Sequence, residues 1–228
     1  MNSAIDPNNL PVKADRAFVE VDWKADTGPL RQLIDEIRAA NPAAMPKIAD
    51  KWLLCALAER DVAAAKDALL ASDENPLGLD AVHFTRDFAE GVIARMTNDE
   101  QHAQLAFNAA RTEQAKNVVA QPDYGPAWCV LGVIDAALGR KEEALREGRR
   151  AVELLPVEKD SVNGAHMIHY LAMIAAWVGE KDLAFEQLAL SARTPGGATY
   201  GELKLDPFWD PLRGDPRFEK IVASLAPK

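Results

Sequence analysis

His166 and His169 stand three residues apart in a stretch with helical apolar spacing, an interval that sets both imidazoles on one helix face. A zinc site needs three or four ligands in a tetrahedron. No third cysteine, histidine or patterned acid lies in that segment, and Asp160 and Glu180 are candidates only by proximity. The pair is therefore read as groove or packing histidines, with no metal and no cofactor expected. Nucleophile signatures are missing as well. There is no G-x-S-x-G, and Gly196-Gly197 lacks the lysine and the preceding strand of a phosphate loop. Glu142-Glu143 suits the first turn of a helix, where the dipole favours negative charge. Cys55 and Cys129 sit in apolar stretches far apart and are expected as buried free thiols. The expectation is no catalysis and no catalytic residue.

The elements that position these residues read as helices. Apolar residues recur at three- and four-residue spacing, alanine is abundant, and strand alternation and hairpin dipeptides are nearly absent. Short polar turns fall at 59–61, 97–100, 138–141 and 179–182. Longer breaks fall near 73–79, 121–126, 156–160 and 194–198. That alternation predicts stacked antiparallel helix pairs, an all-α fold of α-solenoid type.

The segments repeat. Trp128, Leu131 and Gly132 precede the turn at Gly139, and Ala144, Ala151 and Pro156 follow it. A shift of 40 residues lands on Ile168, Leu171, Ala172, Gly179, Ala184 and Ser191. A shift back of 41 lands on Gly91, the turn near Asn98, Ala103, Phe107 and Ala110. Leu53, Arg60 and Ala65 form a fourth, weaker copy. Gly91 to Ala103, Gly132 to Ala144 and Ala172 to Ala184 each span 12 residues, so a small residue on each helix lets a pair close.

On these residues the chain resembles the tetratricopeptide repeat family, whose pattern is W-x2-L-G-x2-Y, then A-x3-F, then P. Asp135 stands in place of the tyrosine and Gly148 in place of the phenylalanine. The spacing exceeds the family's period of about 34, so longer helices or linkers must absorb the excess. The stretch from Gln121 onward is similar to tail domains of bacterial signalling proteins. The resemblance implies residues 45–199 as about four repeats, the first degenerate. Residues 1–44 are then an N-terminal segment with a capping helix, and 200–228 a C-terminal cap with a short helix. In the first cap, Thr27 and Pro29 mark a helix start. In the second, the aspartates of Asp206-Pro207, Asp210-Pro211 and Asp215-Pro216 suit helix N-caps.

In such a family the first helix of each pair lines a concave surface that holds partner segments. The implied groove residues are Phe88, Val92, Arg95 and Met96 from one repeat, and Cys129, Val133 and Ala136 from the next. His166, His169, Tyr170, Met173 and Trp177 come from the last. The expected function is a protein–protein interaction module that takes an apolar or amphipathic peptide or helix. The alternative is a regulatory or self-association tail whose groove is filled by another copy or by its own N-terminal segment. A net charge of −9 and a pI near 5.0 argue against nucleic acid. Arg146, Arg149 and Arg150 lie among glutamates, as on a solvated face. No apolar run approaches a membrane span. Residues 1–10 are polar and carry no secretory signal, so a cytoplasmic setting is expected.

Overall fold

Helix-forming runs punctuated by residues that tolerate left-handed backbone shape the computed structural model, which describes residues 9–228. Residues 1–8, most of the polar start on which the expectation of no secretory signal rests, lie outside the described residues. The chain is mostly helical with almost no strand. The helices are α1 (Leu10–Lys24), α2 (Gly28–Ala40), α3 (Ala49–Ala58), α4 (Val62–Ala71), α5 (Arg86–Met96) and α6 (Glu100–Ala120). They continue as α7 (Gly125–Ala137), α8 (Lys141–Leu154), α9 (Asn163–Trp177), α10 (Lys181–Ser191), α11 (Tyr200–Leu205) and α12 (Pro216–Leu225). Pro42–Ile48 and Pro207–Leu212 are 3-10 turns. Among the described residues no helix is long and apolar enough to cross a membrane.

Four hairpins, α3/α4, α5/α6, α7/α8 and α9/α10, are joined by turns of one design. Arg60, Asn98, Gly139 and Gly179 occupy the same position with φ of 60°, 57°, 75° and 78°. The next residue's N–H returns to a carbonyl five residues back in every case: Asp61 to Ala56, Asp99 to Ala94, Arg140 to Asp135, Glu180 to Ala175. That bond closes a Schellman motif, which satisfies the carbonyls that a helix end leaves orphaned. Four residues beyond each of these donors stands a fully buried alanine: Ala65, Ala103, Ala144 and Ala184.

The small positions work as spacing predicts, with one difference. At Gly132 an added Cβ would lie 3.1 Å from the Gly148 nitrogen and 3.2 Å from the Ala144 oxygen, so α7 and α8 touch backbone to backbone. At Gly91 the space is taken by the Phe107 ring, 2.5 Å from where a Cβ would sit. The room left by Gly148 is filled from α9 by Ile174 and Leu171, 2.9 and 3.0 Å away. Two features set the spacing between hairpins. One is the 21-residue helix α6, and the other is the link between α8 and α9.

Successive hairpins pack on one another, α4 on α5, α6 on α7, and α7 and α8 on α9. The two ends of the chain then meet. α1 packs on α11, and Thr199 Oγ1 donates to the Asp22 carboxylate at 3.3 Å. Arg60, in the first hairpin turn, pairs with Asp210 at 2.8 Å. Trp177 Nε1 donates to the Phe208 carbonyl at 2.7 Å.

Three local expectations change. Thr27 is helical and makes no side-chain cap on α2; the Gly28 N–H is taken instead by Asp26 at 2.9 Å. Asp215 caps α12 through the Arg217 N–H, but Asp206 makes no capping bond. Inside the expected break at 73–79 begins an antiparallel hairpin, β1 (Leu77–Leu79) and β2 (Val82–Phe84), with Leu77 opposite Phe84. Its two-residue turn uses Asp80 at φ 49°, and Gly78 at φ 135° admits the Val82 carbonyl where a Cβ would clash at 1.9 Å.

Candidate functional site

Most of the groove residues named from sequence, on α5, α7 and α9, line two adjoining cavities that the chain's own ends also line, while Cys129 and Ala136 line neither. Phe88, Val133, His166, His169, Tyr170 and Met173 line a central cavity of about 280 Å³. Val92, Arg95, Met96 and Trp177 line an adjoining cleft, facing Pro207, Phe208 and Pro211. Cys129 is buried at 1% exposure, Val133 and Phe88 at 0% and 2%, and Ala136 is buried beside them. What covers them is the chain itself. The segment 196–212 and α1 lie where a guest segment was expected. The reason is proximity: a segment tethered to the last helix is always present at high effective concentration.

The cavity's apolar side is aromatic. Phe84 from the hairpin stacks on Phe88 at 4.4 Å and meets the edge of Tyr170 at 5.7 Å. Phe18 and Val21 enter from α1, and Phe208 from the C-terminal segment. In the adjoining cleft the Arg95 guanidinium sits over Trp177 at 5.2 Å and over Phe107 at 4.9 Å. Burial lowers its pKa from the usual arginine value.

The polar side is acidic. Asp22, Glu202 and Asp206 all line the cavity, and the Glu202 charge lies close enough to raise the proton affinity of the other two. Burial and the Glu202 charge push Asp22 up to about 6. Burial, Glu202 and Asp22 push Asp206 well above the carboxylate range. Glu202 goes the other way. Burial alone would raise it, but His169 Nε2 at 2.7 Å and Trp209 Nε1 at 3.1 Å hold it below its ordinary value. His166 Nδ1 is buried without a hydrogen-bond partner, its nearest acid being Asp80 at 3.6 Å. Burial lowers the His166 pKa.

Ser191, His169 and Glu202 form a chain that has the outline of a nucleophile relay: Ser191 Oγ lies 3.2 Å from His169 Nδ1. Ser191 is 0% exposed and its hydroxyl accepts from the Ala198 N–H at 3.0 Å. Ser191 is not among the residues that line the cavity, and the bonds tie α9, α10 and the C-terminal segment together. Asp160 spends its carboxylate on Asn163 and the N–H groups of 162 and 163, at the start of α9. Among the described residues no group of three His, Cys, Asp or Glu side chains is placed to hold a metal ion.

Both cysteines are free and buried. Burial pushes Cys55 up to about 12 and raises Cys129 further. The native chain is therefore expected to leave Ellman's reagent untouched and to react at both thiols once unfolded in guanidinium; rapid native reaction at either would show the packing to be looser.

The acids Asp22, Glu202 and Asp206 and the aromatics Phe18 and Phe84 escaped the sequence reading. Asp206 was masked by its proline, since Asp-Pro is a capping signal. For Phe84, the alternation of buried Val82, exposed His83 and buried Phe84 is the period of a strand and was available. Compared with known proteins, the chain matches no family model, no curated protein and no solved structure.

Proposed function

We propose that this chain is a non-catalytic recognition module of α-solenoid type, whose inner wall on α5, α7 and α9 binds an apolar, aromatic-bearing polypeptide segment. Free of a partner, it holds its own segment 203–213 in that place. One observation carries the reading: Trp177 on the wall hydrogen-bonds the main chain of Phe208 at 2.7 Å while its ring packs on the Phe208 ring at 5.8 Å. Recognition of main chain plus an anchored aromatic is how grooves hold peptides. The four like turns, and the small residues that let each hairpin close, support the solenoid part of the reading. Partners would be proteins in a reducing, cytoplasmic setting, where two unpaired thiols are stable.

The test loosens the resident segment in the full chain. Phe208→Ala with Asp210→Ala removes the anchor and the Arg60 pair. A fluorescent peptide carrying residues 203–213 is expected to bind this variant at least ~10-fold more tightly than the parent chain, because the cis competitor is weakened. Equal anisotropy titrations for two folded proteins would sink the proposal.

A further inference from the structure

The central cavity is complete only while the chain's own segment is docked, so a ligand held in it does not depend on capture of an outside polypeptide. Four features coincide there. The space, about 280 Å³, is lined on one side by Phe18, Phe84, Phe88 and Tyr170. For comparison, a dry apolar cavity of roughly 150 Å³ takes up benzene. Three carboxylates, Asp22, Glu202 and Asp206, reach it from α1 and the C-terminal segment, against two histidines, of which His169 is paired with Glu202. Asp206 is at a helix start yet makes no capping bond, leaving its carboxylate to the cavity. Tyr170, 6% exposed, lines the same space, as does His166, whose Nδ1 is buried without a hydrogen-bond partner among the described residues.

A carboxylate buried among apolar side chains is costly unless it takes up a proton, as Asp22 and Asp206 are pushed to do, or a cation joins it. Among the described residues no lysine or arginine lines the cavity; Lys51 acts on Asp22, and Arg60 and Arg213 on Asp206, only from beyond its wall. A metal ion is a poor match, because no three donors converge on one point among the described residues. An ammonium group on an apolar body answers both walls at once: the carboxylates pair with its charge, and the ring faces attract it as well.

We propose that this cavity is a binding site for a small organic amine. An apolar body of roughly ten non-hydrogen atoms sits among Phe18, Phe84, Phe88 and Tyr170, and its ammonium group pairs with Asp206 on the acidic side, beside Asp22; Glu202 stays tied to His169 and Trp209.

Calorimetry of the full chain with 2-phenylethylamine, tyramine and cyclohexylmethylamine tests this, with 2-phenylethanol as the neutral isostere and 3-phenylpropanoate as the anion. At least one amine is expected to bind ~10-fold or more tightly than the alcohol, and the anion not at all. Asp206→Asn is expected to weaken the amine ~10-fold and leave the alcohol unchanged. Ala58→Phe, which fills the chamber from α3, is expected to abolish both, circular dichroism showing both variants folded. Failure of all three amines below ~10 mM, amine and alcohol binding alike, or amine affinity indifferent to Asp206→Asn each overturns the proposal.

Discussion

Gly201→Val is expected to separate the two ends of the chain and lower the melting temperature by about 10 °C. A Cβ on Gly201 would stand 1.6 Å from the Val21 carbonyl oxygen and 2.6 Å from its carbon. The obstacle is backbone inside α1, so no rotamer change relieves it, and α1 must move away from α11. That removes the Thr199 bond to Asp22, uncovers Leu203 and opens the cavity on the side of Phe18 and Val21. Losing one hydrogen bond and part of a buried apolar contact costs about 3 kcal/mol, which in a chain of this size corresponds to roughly 10 °C. Gly214→Asn is the control: its φ is +81°, which asparagine tolerates, and nothing lies within 4 Å of an added Cβ. Thermal unfolding followed by circular dichroism reads both. A Gly201→Val melting point within about 2 °C of the parent would mean that the junction between the ends contributes little.

That junction was the least legible part of the sequence. Local features could be read because local physics fixes them. Arg60, Asn98, Gly139 and Gly179 end helices where left-handed backbone is needed, and the buried alanines four residues beyond the turn-closing donors follow from hairpin closure. Phe88, Val92 and Met96 on α5 and His169, Met173 and Trp177 on α9, at four-residue steps, share a helix face for the same reason and line the two cavities. What covers the wall depends on pairs separated by 150 and 177 residues, Arg60 with Asp210 and Asp22 with Thr199, and no periodicity records them. Asp206 shows the difficulty at one residue. Its neighbour Pro207 marks a helix start, which predicts a cap, and only the folded position of α11 turns the carboxylate toward the cavity instead.

The pH response of the closed end follows from these acids. Asp22 has its folded pKa raised from 3.8 to about 6, so its contribution to stability is present below the unfolded value and is lost as pH climbs through the range between the two. The shift corresponds to about 3 kcal/mol as an upper bound, since water in the cavity screens the charge. Asp22→Asn is thus expected to raise the melting temperature at neutral pH and to make little difference at pH 4. A variant that melts lower at pH 7 than the parent would reverse the sign and show the Thr199 bond to matter more than the buried charge.

Asp135→Ala is the second large effect, and it addresses the position where the repeat pattern expects tyrosine. Asp135 is 0% exposed on α7, and both its oxygens accept from Arg111 of α6, at 2.5 and 3.2 Å; Arg140 lies 3.7 Å away. A tyrosine would fill this space with ring; the carboxylate fills it with a bridge between successive hairpins. Removing one partner of such a pair costs about 3–5 kcal/mol because the other charge is stranded, and Arg111 at 28% exposure places the loss near the lower end. Glu147 modifies the outcome. It is 3% exposed, and burial, then the Asp135 charge, raises its pKa well above the ordinary carboxylate value. Without Asp135 that repulsion disappears, Glu147 ionises more readily, and its attraction to Arg111 becomes a partial substitute. The single variant Glu147→Gln is therefore expected to be neutral or stabilising at pH 8. Combined with Asp135→Ala it is expected to cost more than the two changes summed, by about 1 kcal/mol of coupling. Urea unfolding of the four proteins at pH 6 and pH 8 measures that coupling directly. Strict additivity at both pH values would show that Glu147 does not communicate with the Arg111 bridge, and a loss below about 1 kcal/mol for Asp135→Ala alone would show the bridge to be ornamental to the stack of hairpins.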